Sequence, residues 1–95
     1  MSKQWYVYIL ASRPNGVLYI GMTNDLVRRT QEHKREVVDG FTKKYHVHRL
    51  VYYEAYDDPE HAIRREKNMK AWQRSWKERI INDVNPNWND LSNEL

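Results

Sequence analysis

Residues 17–34, VLYIGMTNDLVRRTQEHK, hold the transition on which the fold turns. The stretch begins with alternating apolar and aromatic residues, the period-two signature of a strand, and then meets Gly21. Glycine inside a strand pattern marks a bulge or a backbone approach too close for a side chain. After "TND" the period changes: Leu26, Arg29, Thr30, His33 and Val37 fall at i, i+3, i+4, i+7 and i+11, one stripe of a helix. Thr23 or Asn24 suits the cap, and Asp25 favours the positive end of the helix dipole. Arg29 and His33 thus place two polar heads on a stripe otherwise bound for burial.

Outward from this corner, WYVYIL at 5–10 reads as a preceding strand, and ASRPNG as a hairpin loop of about four residues. Pairing Leu10 with Val17 sets Tyr8 opposite Tyr19, on one face of the sheet. Two readings are open for these tyrosines, packing aromatics or members of a site. Asp39-Gly40 is expected to stop the first helix. RLVYYEAY at 49–56 reads as a third strand, and Asp58-Pro59 opens a helix through HAIRREKNMKAWQ. Ser75 and Glu78 stand at capping-box spacing before another helix, or a restart after a kink. The order is ββαβαα: an α+β domain with a small three-stranded antiparallel sheet flanked by helices.

The chain has 95 residues, 40% apolar and 13% aromatic, enough for one core and one domain over 1–95. Cysteine is absent, which excludes a disulfide framework, a thiolate metal site and a cysteine nucleophile. WYVYILA is too short for a signal segment and nothing approaches a membrane span, so a cytoplasmic protein without membrane attachment is expected. The net charge is +3, but residues 28–49 and residues 60–80 each carry seven Lys/Arg against three acidic residues. Residues 82–95 hold three acidic residues and no Lys or Arg. A basic body of this kind points to phosphate-bearing partners, or is a solvated face.

Glu66, within RREKNMK, also has two readings: a helix salt bridge to Lys70 at i+4, or a carboxylate ligand for a divalent cation. His46 and His48 share a face if strand-like, lack a third ligand, and read as structural or surface residues. Trp72 and Trp76, at i+4 spacing, are expected to pack a helix on the core.

Taken together, Tyr8 in WYVYIL, Tyr19 in LYIG, Arg29 and His33 in the following helix, Glu66 and the closing NPNWNDL resemble the GIY-YIG domain. The likeness is to its short stand-alone bacterial members, the UPF0213 type, and covers nearly the whole chain. Tyr6 and Val7 replace the glycine and isoleucine of GIY, and Met22 stands where several relatives have lysine. The resemblance implies an endonuclease that uses Mg²⁺ or Mn²⁺ to hydrolyse DNA. On it, Glu66 holds the metal, Arg29 stabilises phosphorane-like charge, Tyr8 or Tyr19 orients or deprotonates water, and His33 assists proton transfer. A tyrosine base requires metal and arginine to lower its pKa. No appended DNA-binding domain is expected, and with that absence either weak affinity or a partner protein that supplies targeting. The alternative is a nucleic-acid-binding module with little or no catalysis.

Overall fold

In the computed structural model, which describes residues 4–95, β1 (Trp5–Ala11) is flanked by β2 (Leu18–Thr23) and β3 (Arg49–Tyr56), both antiparallel to it. Val7 to Ala11 are all buried, as a central strand covered on both faces requires. Alternation divides them. Val7, Ile9 and Ala11 join Ile20, Val51, Ala62, Met69 and Ile81 beneath α3 (Pro59–Ala71) and α4 (Arg74–Val84). Tyr8 and Leu10 join Leu26, Val47 and Leu50 on the face that α1 (Leu26–Lys34) covers. The expected α+β class and ββαβαα order are present, with α2 (Phe41–Lys44) and a terminal 3-10 turn (Leu91–Glu94) added.

The hairpin register differs from the expected one by two residues. Leu10 pairs with Tyr19 and Tyr8 with Gly21, because Val17 closes the turn instead of entering the ladder. Its carbonyl accepts from Ser12 N at 3.0 Å, and its N–H donates to Ser12 Oγ at 2.9 Å. A shift of two conserves the face, so Tyr8 and Tyr19 still project to the same side. The ladder runs unbroken past Gly21; the irregularity lies in β3, where Ile9 pairs with Tyr52 and Leu10 with Leu50. Val51 is the extra residue, and both it and Tyr52 meet the α3 side.

Helix α1 is capped by Asp25, whose carboxylate accepts from Arg28 N at 3.1 Å, and not by Thr23 or Asn24. Thr23 Oγ1 instead accepts from Asp25 N, which fixes the approach to the helix. The helix stops at Lys34, before the expected Asp39-Gly40. Glu36 adopts φ 56°, Glu36 N donates to His33 O, and Val37 N donates to Glu32 O. This is a Schellman closure with glutamate at the left-handed position that glycine usually takes. Val37 consequently leaves the stripe and is exposed, while Gly40, at φ 107°, begins α2.

Helix α3 starts at Pro59 under the Asp58 cap, as its sequence predicts. Helix α4 does not use Ser75 as cap. Trp72 and Gln73 are extended, Gln73 precedes the first turn without a side-chain cap bond, and Glu78 pairs with Arg74 at 2.9 Å. Trp72 packs against the core, whereas Trp76 meets it edge-on and stays 51% exposed. The closing segment is a latch: Asn85 Nδ2 donates to Val51 O and Asn89 O, and Asp90 Oδ1 accepts from Leu50 N.

Candidate active site

Tyr8 leaves the middle of β1 and crosses Gly21 on its neighbour. A Cβ at Gly21 would sit 2.5 Å from Tyr8 Oη, so close approach, and not a bulge, explains the glycine. The phenol ends 3.1 Å from His33 Nε2, and His33 Nδ1 lies 3.1 Å from Thr42 Oγ1. All three side chains are buried. Burial first, then the Arg29 charge, holds the His33 pKa below its ordinary 6.5, with His48 adding and Glu32 opposing. A neutral imidazole has one donor and one acceptor. When Tyr8 donates to Nε2, Nδ1–H donates to Thr42; the other tautomer reverses both bonds.

Tyr19 completes the cluster, its ring centroid 5.7 Å from His33 and 6.4 Å from Tyr8. Burial pushes the Tyr8 phenol well above its ordinary 10.0; Tyr19 adds to the rise, Arg29 opposes it, and Glu66 and Glu32 add further. The expected lowering is therefore present in the sign of Arg29's effect but is outweighed in the protein alone. Arg29 pairs with Glu32 at 3.6 Å on the rim of a recess of about 210 Å³ lined also by Thr23, Asn24, Asp25 and Arg28.

The five expected residues thus occupy one region in two groups. Tyr8, Tyr19 and His33 touch; Arg29 acts on both Tyr8 and His33 through space; Glu66, from α3, reaches Tyr8 only through its field. Of the two carboxylates that bear on Tyr8, Glu32 is engaged by Arg28 at 3.4 Å and Arg29 at 3.6 Å. Glu66 pairs with Lys70 at 3.6 Å, so its salt-bridge reading is realised. The Lys70 side chain of that pair is half exposed.

Among the described residues, no three His, Cys, Asp or Glu side chains group as a metal cage. Glu66 offers a single carboxylate, and Mg²⁺ takes one or two carboxylates beside waters and substrate phosphate oxygens, whereas structural zinc takes four protein ligands. His46 and His48 do not form a strand pair: His46 sits in a turn at φ 55° and bonds Glu36 at 2.6 Å.

Two contributors carried no usable sequence signal. Thr42 orients His33 from a four-residue helix inside an unpatterned loop. Phe41, on the same helix, lies 6.3 Å from Tyr19 with rings 25° apart, and Tyr45 follows at 4.9 Å from Phe41. Glu32 was visible only as one charge among many.

A family model described as the GIY-YIG catalytic domain matches residues 4–79. A UPF0213 protein of Pseudomonas aeruginosa is 35% identical over 81 residues, which cover 85% of this chain and 77% of that protein. One from Natronomonas pharaonis is 34% identical over 83 residues, 87% and 96% of the two chains. The solution NMR structure of a UPF0213 protein from Bacillus halodurans aligns with a TM-score of 0.51 at 33% identity, covering 82% of each chain. The span matched by the family model includes Tyr8, Tyr19, Arg29, His33 and Glu66, and the chain belongs to the GIY-YIG nuclease family, with UPF0213 proteins as its relatives.

Proposed function

We propose that this protein is a Mg²⁺- or Mn²⁺-dependent endonuclease that hydrolyses DNA phosphodiester bonds, with residues 1–95 as one domain working in the cytoplasm. The observation that carries this reading is the buried Tyr8–His33 hydrogen bond at 3.1 Å, flanked by Tyr19 and the Arg29 charge. A buried polar pair costs stability unless it is fully satisfied; here Thr42 completes it, and the Arg29 charge acts on both members.

Glu66 would hold the metal. When bound, the cation supplies Lewis-acid stabilisation of the phosphate oxygens. Arg29 neutralises charge on the non-bridging oxygens as the attacking water closes on phosphorus. Tyr8, kept protonated by its raised pKa, is suited to orient that water and to relay its proton. As the phenol oxygen takes the water's proton, its own passes to the lone pair on Nε2 of neutral His33, and Thr42 holds the ring on the far side. Tyr19 is the second candidate for orienting the water. The strongly basic surface supports a polyanionic substrate, and a partner protein would supply target choice.

The test is cleavage of labelled single-stranded, duplex and branched DNA with Mg²⁺ or Mn²⁺, beside a folded Glu66→Ala variant. Cutting that needs metal and disappears in the variant is expected. Salt-dependent binding without cutting by the wild type would instead establish the binding module.

A further inference from the structure

We infer that the free edge of β2 carries a subsite for one unpaired DNA base, which makes single-stranded segments the preferred substrate; this rests on the nuclease reading above. A recess of about 240 Å³ runs along that edge, lined by Leu18, Ile20, Tyr19, Phe41, Lys70 and Lys77. It is smaller than the pockets of about 300–1,000 Å³ that enclose larger organic ligands, and is sized for a single flat group. Aromatic rings come from one side of the sheet and ammonium groups from the other. Phe41 is 45% and Tyr45 44% exposed, although both are large apolar residues on or beside a helix of four residues. Their rings extend the Tyr19 ring outward, and Lys44 Nζ lies 5.3 Å from the Tyr45 centroid.

The chemistry of a nucleotide matches both walls: a π-face stacks on Phe41 and the adjoining phosphate meets Lys70 and Lys77. A base paired within a duplex has its faces covered by neighbouring pairs, so only an unpaired base offers one. The recess also joins the two groups of the candidate active site. Tyr19 belongs to the Tyr8–His33 cluster, and Lys70 is the ion partner of Glu66. A base held there places its phosphate beside the groups that would cleave it.

The inference is tested by binding in EDTA, independent of turnover, using labelled oligothymidine and a labelled duplex of equal length. Phe41→Leu keeps apolar bulk without a π-face, and Phe41→Tyr restores the face; thermal melts establish that each folds. The leucine variant is expected to bind the single strand more weakly by on the order of tenfold, with duplex affinity unchanged and the tyrosine variant close to wild type. Fluorescence of 2-aminopurine in the strand is expected to be quenched by the wild type and restored toward its free value by Phe41→Leu. Lys77→Gln is expected to lower the salt dependence of single-strand binding by about one phosphate's share. Unchanged single-strand affinity in Phe41→Leu, or an equal loss for both DNAs, would overturn the subsite. If the wild type nevertheless cuts DNA in a Glu66-dependent way, the nuclease reading stands without it; a wild type that binds neither DNA removes both.

Discussion

Gly21 lies directly under the ring of Tyr8, so close that an added Cβ would stand 2.5 Å from Oη and 2.6 Å from Cζ. The phenol has no easy retreat, since its hydroxyl is bonded to His33 and its ring is buried. Gly21→Ala is expected to cost about 1–3 kcal/mol by overpacking, measured by urea denaturation. Cleavage should fall further than the loss of folded protein explains, because Tyr8 must tilt away from Nε2. Full activity in a folded Gly21→Ala protein would mean that the Tyr8–His33 geometry is dispensable.

His33 gives the stability of the protein a specific pH dependence. Its folded pKa is below the ordinary 6.5, so just below that pH the unfolded chain binds a proton that the folded chain does not. Stability from the neutral ring is complete above about pH 6.5 and is lost as pH falls from there toward the folded value. Urea midpoints compared at about pH 7.5 and about pH 5.5 should decline for the wild type and stay flatter for a folded His33→Gln variant. Glu54 and Asp90, held below their ordinary 4.5 and 3.8, lose their contributions only at lower pH and do not obscure this interval.

The carboxylate of Glu54 accepts two bonds from Arg65 at 2.9 Å each, one from Tyr56 at 2.6 Å and one from Tyr52. Burial raises its pKa, but these donors together outweigh burial and leave it lowered. Arg65→Met keeps the stem packed near Trp72 and removes the cation, with an expected cost of about 2 kcal/mol. The part of the acid sensitivity that Glu54 contributes below about pH 4.5 should shrink, because its folded pKa rises toward its unfolded value.

Glu66→Gln should behave in the opposite way. Its pair with Lys70 is partly exposed and worth a few tenths of a kcal/mol, so the urea midpoint should scarcely move. Metal-dependent cutting should disappear. A stable Glu66→Gln protein that still cuts would move the metal ligand elsewhere in the chain.

The parts legible in the sequence are those written in short-range chemistry. Aromatic and β-branched residues marked β1 and β3, Asp58-Pro59 marked the start of α3, and period 3.6 placed Leu26, Thr30 and His33 on a buried face. The end of α1 was not legible, because Glu36 takes a left-handed conformation without the glycine that signals it, and its side chain is held by His46 ten positions away. Likewise, hairpin parity could be read from alternation, while the actual register depended on Ser12 bonding Val17.

Alternation and caps by themselves determined the element order, and the resemblance of Tyr8, Tyr19, Arg29, His33 and Glu66 to the GIY-YIG pattern marked the candidate site. Those signals operate within a strand or a few helical turns, where covalent geometry fixes which side chains share a face. Tertiary structure alone decided that Tyr8 bonds a histidine 25 positions away, that Thr42 orients it, and that Phe41, Lys70 and Lys77 meet across the edge of β2. Each of those encounters depends on how α1, α2, α3 and α4 pack around the sheet, and packing is set by the shape and burial of many side chains together, not by the preference of any one segment.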